Sequence, residues 1–226
     1  MAGQARHEGL SHGFKINRFV LQAIIEYIQG HQLEIVSMVI GLVYLWCEYR
    51  ASIFVWIVGI IMPLIDIVLY WQNGLYADSV MDGYYALAAI WGFIVWKTGK
   101  KKTNDRNISH FPIRKLLPVG LAFLAIWGVV YLWLTYGTPS NVPISDSFVN
   151  ALCIIGLWAL SRKYLEQWYI WIVVDIIKTF LYAYKGIPVK GSYYALSAII
   201  AVFGYFKWKQ MMVEKSPNIK PVAELH

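Results

Sequence analysis

Charge is scarce in this chain: Asp, Glu, Lys and Arg make up 15% of its 226 residues, against about 25% in a soluble globular domain. That shortage removes the solvated faces a water-soluble fold needs. Cysteine is almost absent. Cys47 and Cys153 each lie inside an apolar run, so both read as small buried hydrophobes rather than a disulfide. Histidine is missing from every apolar run: His7, His12, His31, His110 and His226 fall in termini or loops. That argues against haem or a metalloprotease centre inside a bundle. MAGQARHEGLSHG at the N-terminus has no apolar core, so no cleavable signal peptide is expected. No D-x-x-D or H-x-x-x-D spacing joins the acids, and neither a metal nor a cofactor is expected.

Apolar length is what the chain has in abundance. Mean hydropathy is +0.50 with 58% hydrophobic residues, and apolar runs long enough to cross a ~30 Å hydrocarbon core recur along it. Seven such segments lie near 33–50, 52–72, 75–97, 115–136, 146–162, 166–184 and 188–209. The expected fold class is therefore an all-α integral membrane protein with seven transmembrane helices. Before them, FKINRFVLQAIIEYIQ (14–29) sets Lys15, Arg18, Gln22, Glu26 and Gln29 on one stripe, the pattern of an amphipathic helix lying in the interface.

The net charge of +7 sits mostly in loops, so membrane topology accounts for it and nucleic acid is not an expected partner. KTGKKKTNDRNISHFPIRK, between the third and fourth spans, carries seven basic residues against one Asp, whereas GTPSNVPISDS after the fourth carries none. Arg50, Arg162, Lys163 and lysines 207, 209, 215 and 220 fall on the same side as the basic loop. The Lys and Arg bias predicts that side to be cytoplasmic, with the N-terminus outside and the C-terminus inside. Lys185 and Lys190 are the exceptions.

Laying residues 56–97 on 168–209 without a gap reveals a repeat. Trp56 meets Trp168, Ile60 Ile172, Ile65 Ile177, Leu69–Tyr70 Leu181–Tyr182, and Gly74 Gly186. Ala86 meets Ala198, Ala89 Ala201, Gly92 Gly204, and Trp96–Lys97 Trp208–Lys209. An odd linker span makes the two triplets parallel, a 3+1+3 architecture. The expected division is a polar segment and amphipathic helix (1–32), a first repeat (33–97), the basic loop and linker helix (98–145), a second repeat (146–209) and a tail (210–226).

WYIWIVVDIIK (168–178) carries the strangest residue. Asp175 sits near the middle of its span, where a carboxylate costs roughly 2.5–3.5 kcal/mol on insertion scales. Trp168, Trp171, Asp175 and Tyr182 share one helical stripe. A carboxylate below two indoles suits a small, flat, positively charged molecule, because aromatic faces attract organic cations and flat rings stack on them. A structural carboxylate neutralised by Lys178 is the plainer alternative. Asp82 lies inside the third span. Asp66 follows Pro63, which should bend the second span and free a carbonyl. Asp66 aligns with Lys178 in the repeat, and a structural pair between those two is expected. Tyr84, Tyr85, Trp91, Tyr193 and Tyr194 are candidates for a cavity wall, with lipid-facing packing as the alternative. Gly59, Ala86, Ala89, Gly92, Ala198, Ala201 and Gly204 suit close helix packing.

WYIWIVVDIIKTFLYAYKGI resembles the WxxWxxx(N/D) signature and following LYxxxG of the PnuC-type vitamin transporters, relatives of the SWEET sugar transporters. NGLYADSVMDGYYALAAIWGFIVW is similar to that family's third span. The resemblance implies facilitated diffusion of an unphosphorylated vitamin precursor, trapped by a cytoplasmic vitamin kinase, through a homotrimer in the bacterial inner membrane. By position it implies substrate contacts from Trp168, Trp171 and Asp175, with Asp82, Tyr85, Tyr194 and Phe203 as further candidates. In the nicotinamide riboside branch the positions of Asp82, Asp175 and Phe203 commonly hold Gln, Asn and Asn. Two acids in place of amides favour thiamine, whose thiazolium is cationic and whose aminopyrimidine donates to a carboxylate. Nicotinamide riboside, also cationic, is the alternative, and riboflavin a weaker one. An integral membrane enzyme or a sensor is disfavoured, since no catalytic constellation or output domain is visible.

Overall fold

The computed structural model describes residues 21–22, 25–26, 29–102, 107–138 and 142–214. Among them lie seven long helices: α1 (Gln32–Tyr49), α2 (Phe54–Gln72), α3 (Tyr76–Lys102), α4 (Leu116–Gly137), α5 (Pro143–Ser161), α6 (Gln167–Tyr184) and α7 (Pro188–Glu214). Six are long and apolar enough to cross a membrane. The seventh, α6, has 18 residues, but its hydropathy is lowered by Gln167, Asp175 and Lys178. The expected interfacial helix of residues 14–29 falls mostly outside the described residues. Leu21, Gln22, Ile25, Glu26 and Gln29 are described, all helical and exposed.

The helices form two triplets and a linker. Within each triplet neighbours in sequence pack together, α1 on α2 on α3 and α5 on α6 on α7. The triplets meet where α1 packs on α7 and α3 on α5. α4 packs on α5 and buries only Val130 and Leu134. Its remaining apolar surface is what a lipid-facing helix presents, since only one side of it has protein to touch.

The repeat is written into the backbone. Ala51 (φ 49°) and Lys163 (φ 56°) are aligned positions, and so are Gly74 (φ 70°) and Gly186 (φ 78°). All four take the left-handed conformation that ends one helix and turns the chain into the next. The packing repeats as well. Trp56 stands edge-on to Trp96 at 5.5 Å, and Trp168 edge-on to Trp208 at 5.6 Å. A Cβ added at Gly92 would overlap the Trp56 ring, and one at Gly204 would lie 2.5 Å from Trp168 Cη2. Small residues here are sockets for indoles, which lets two tryptophans enter the interior instead of anchoring at the interface.

Polar contacts close both ends. At one end Ser109 and Tyr164 form an isolated parallel bridge, with Leu165 N donating to Ser109 O at 3.0 Å and Phe111 N to Glu166 Oε2 at 2.7 Å. At the other end the Lys185 ammonium, 3% exposed, lies 2.7 Å from Asp78 Oδ2 and 2.9 Å from Asp146 Oδ1. One cation thus joins α3 and α5 to the end of α6. Lys185 and Lys190 broke the charge bias because they are consumed in such pairs rather than left to face solvent.

Gly92→Ala and Gly204→Ala are each expected to destabilise the fold by about 1–3 kcal/mol, the cost of overpacking a filled core. Gly120→Ala, which would meet nothing within 4 Å, should leave the melting temperature in detergent unchanged. Thermal unfolding of the three variants checks this.

Candidate functional site

The face of α6 that turns inward is its aromatic and polar face. Gln167, Trp168, Val174, Asp175, Leu181 and Tyr182 are buried, while Tyr169, Val173, Ile176, Phe180 and Tyr184 are exposed. In water that distribution would be inverted; in lipid, aliphatic side chains cost nothing on the outside and polar ones must be enclosed.

What encloses them is a cavity of about 130 Å³ inside the bundle. A cavity of roughly 150 Å³ takes up benzene, so this space is about the size of one aromatic ring, and a ring that bears a sugar needs the helices to part further. Its walls include Trp168, Trp171, Asp175 and Lys178 from α6, Asp82, Tyr85 and Ala89 from α3, and Tyr193, Tyr194, Ser197 and Ala201 from α7. Helices α1, α2 and α5 also contribute, through Tyr44 and Glu48, through Trp56, Gly59, Pro63 and Asp66, and through Cys153 and Leu157. α2 runs unbroken through Pro63. The ring leaves the Gly59 carbonyl without its usual helical donor, and both residues line the cavity.

The four cavity carboxylates differ in their partners. Asp175 accepts a hydrogen bond from Ser197 Oγ at 2.6 Å. Asp66 accepts from Ser37 Oγ and, at 2.6 Å, from Lys190 Nζ, which also donates to Ser37 Oγ at 2.7 Å. Asp82 is 7% exposed, and its Oδ2 has no hydrogen-bond partner among the described residues. Glu48, 2% exposed, likewise leaves Oε1 open. Lys178 stands 4.9 Å from the Tyr194 ring and 5.8 Å from the Tyr85 ring, with Nζ 3.5 Å from the Tyr194 hydroxyl. Tyr85 donates to Asn150 Oδ1 at 2.5 Å, tying α3 to α5. Asp66 is matched by Lys190, and the open oxygens of Asp82 and Glu48 leave acceptors for a positively charged or hydrogen-bond-donating molecule.

Of the sequence candidates, Trp168, Trp171, Asp175, Asp82, Tyr85 and Tyr194 come together on this cavity, and Tyr193 joins them. Two expectations are corrected. Phe203 is 60% exposed on the outer side of α7: its neighbour Gly204 faces Trp168, and one residue of helix turns the next side chain about 100° away. Asp66 pairs with Lys190 and not with Lys178. Alignment in the repeat puts Asp66 and Lys178 at equivalent places on α2 and α6, which is the reason they do not meet. Lys190 instead reaches Asp66 across the α1–α7 contact. Tyr84 and Trp91, 40% and 46% exposed, face outward and line a separate groove with α4 and α5. Glu48 escaped notice and Lys190 stood out only as an exception to the charge bias, because each stands at a span end, beside Arg50 and near Lys185, where charge reads as interfacial. Ser197 and Asn150 carried no signal beyond ordinary polarity.

The matching family, described as nicotinamide mononucleotide transporter, covers residues 31–210. The chain belongs to that family. The nicotinamide riboside transporter PnuC of Escherichia coli is 23% identical over 205 residues, covering 78% of this chain and 84% of its own. The riboflavin/roseoflavin transporter RibM of Streptomyces davaonensis is 22% identical over 194 residues, covering 84% and 89%. The crystal structure of the vitamin B3 transporter PnuC superposes with a TM-score of 0.72 at 20% identity, over 86% of this chain and 88% of that one. The fold is thus PnuC-like, and the protein is a multi-pass membrane transporter and not an enzyme.

Lys190→Met is expected to cost about 3–5 kcal/mol, because it strands Asp66 as a buried unpaired charge. Exchanging the two charges, Asp66→Lys with Lys190→Asp, should recover part of that loss in thermal unfolding, while Asp66→Lys with Lys178→Asp should recover none.

Proposed function

We propose that this protein carries a flat, hydroxylated vitamin cation across the membrane by facilitated diffusion, with nicotinamide riboside the first substrate to test. The observation that carries the reading is the position of Asp175 and the open oxygen of Asp82 in a cavity walled by Trp168 and Trp171. A carboxylate beside aromatic faces selects for positive charge and planarity together. The relatives' names support putting nicotinamide riboside first: one is named for it and one for riboflavin, and none for thiamine among those compared. Thiamine, the first expectation from the sequence, remains the second reading. It is favoured by acids at 82 and 175, where the nicotinamide riboside branch commonly has amides. Riboflavin is neutral and gains nothing from those charges.

In this reading Trp168, Trp171, Asp175, Asp82, Tyr85 and Tyr194 contact substrate. The two triplets rock about the cavity to open it to either side in turn. Substrate enters down its gradient and a cytoplasmic kinase traps it by phosphorylation. A homotrimer in the bacterial inner membrane, N-terminus outside and C-terminus in the cytoplasm, fits the charge bias and the resemblance. The domain division at residues 32, 97, 145 and 209 belongs to the same proposal.

Asp175→Leu, which removes both the charge and the acceptor, is expected to weaken binding of nicotinamide riboside or thiamine by at least ~1 kcal/mol, the size of a hydrogen bond to a charged group. Calorimetric titration checks this, and unchanged affinity would return Asp175 to a structural role. In vesicles holding only this protein, labelled nicotinamide riboside should equilibrate saturably and ignore imposed Na⁺ or H⁺ gradients. Accumulation driven by either ion would refute facilitated diffusion.

A further inference from the structure

Outside the interior cavity the bundle has a second opening, on the side that faces lipid. α3 and α4 each pack on α5, and between them a groove of about 600 Å³ remains, with α5 as its floor. Trp91 of α3 stands on one side, Val119, Ala122 and Ile126 of α4 on the other, with Ile154 and Trp158 of α5 below. Among the described residues that line it, Lys115 alone is charged, and it stands at the end next to the basic loop.

Length selects the occupant. Lys115, Val119, Ala122 and Ile126 lie at i, i+4, i+7 and i+11, one face of a helix. At 1.5 Å per residue the groove runs about 16 Å from Lys115 to Ile126, roughly half of the ~30 Å hydrocarbon core. It is one leaflet deep. A helix of a second copy of this chain would cross the whole core and run past it, whereas a lipid acyl chain ends at the midplane.

The end that meets the lipid headgroup is positive. Lys115 Nζ donates to Tyr164 Oη at 3.3 Å, and no carboxylate pairs with it among the described residues. Glu166, the acid that this loop contacts, spends its oxygens on His110 and the Phe111 N–H. Arg114 precedes Lys115 and is exposed. α4 begins at Leu116 with no side-chain cap and no acid in its first turn, so the positive end of the helix dipole adds to both cations. Cations are disfavoured at that end of a helix unless an anion joins them. Phosphate is the anion a bilayer offers at this depth, and basic pockets between membrane helices hold anionic headgroups. A zwitterionic headgroup brings its own ammonium to the same place.

We propose that the groove between α3 and α4 binds an anionic phospholipid of the leaflet beside the basic loop, with its phosphate on Lys115 and one acyl chain along Val119, Ala122 and Ile126. The lipid fills the gap that α4 leaves against α3 and so ties the linker to the first triplet. Leu157 lines both this groove and the interior cavity, so one side chain separates the lipid from the candidate site.

Thermal unfolding of the purified full chain in detergent, with dioleoylphosphatidylglycerol or dioleoylphosphatidylcholine added at equal concentration, tests the site. The anionic lipid is expected to raise the midpoint by at least about 5 °C more than the zwitterionic one, since a ligand of the folded state stabilises it by mass action. Lys115→Gln removes the charge and Ala122→Trp fills the groove; each should remove at least half of that difference. Lys209→Gln, at an exposed lysine of α7 outside the groove, should leave it unchanged. If Ala122→Trp does not fold, the two lysine variants carry the test. Equal shifts with the two lipids would overturn the proposal, and so would an undiminished difference in Lys115→Gln or an equal loss in Lys209→Gln. A rise of the same size with inorganic phosphate would reduce the site to a bare anion site. Dissociation of an oligomer by Ala122→Trp in the absence of lipid would make the groove a contact between copies. Either result contradicts a lipid site.

Discussion

A carboxylate inside a lipid-embedded bundle must turn inward and find a partner, and the architecture of this protein follows from that requirement. On insertion scales each such charge costs roughly 2.5–3.5 kcal/mol at the centre of a helix. Three acids are answered by the protein itself: buried Asp66 by Lys190 and Ser37, and half-buried Asp78 and buried Asp146 by Lys185. Each answer joins separate helices, so the groups most expensive to bury also hold the triplets together. Asp175 is answered by a neutral hydroxyl, and Asp82 and Glu48 keep an oxygen open. These last three acids line the cavity, where the proposed cationic substrate would find acceptors.

The two triplets share a scaffold and differ in chemistry. Left-handed turns, glycine sockets and edge-on tryptophan pairs recur at aligned positions, which gives the triplets similar local packing. Against that common frame, Gly59 aligns with Trp171 and Pro63 with Asp175. The first triplet thereby supplies room and a proline, the second an aromatic wall and a carboxylate. The repeat supplies two similar bodies, and its local failure leaves the aromatic wall and the midspan carboxylate on the second alone.

The fold was legible because lipid imposes simple rules. Apolar length marked the seven spans, and the ungapped repeat from Trp56 to Lys97 marked the triplets. The second-triplet wall of the cavity was legible too, since Asp175 is anomalous in an aliphatic run and Trp168 and Trp171 share its stripe. Pairings across the triplets were not. Asp66 and Lys178 share an aligned position, and alignment records equivalence where contact was wanted. Lys190 looked like a loop charge because its span begins only two residues earlier. Phe203 was carried over from a neighbour's position, and one residue on a helix is enough to face lipid instead of substrate. Glu48 hid beside Arg50, where an acid next to a base at a span end reads as an interfacial pair. Such errors share one cause: sequence spacing resolves the face of a single helix and is silent about which other helix meets it.

The central claim is that the cavity selects for positive charge on a flat ring. Nicotinamide riboside and its reduced dihydro form test it most directly, because the two share sugar and size and differ in the charge and aromaticity of the ring. Titrated into the purified protein, the cation should bind at least tenfold more tightly than the reduced, uncharged form. Equal affinity for the two would contradict the account, and the carboxylates of the cavity would then serve the fold alone.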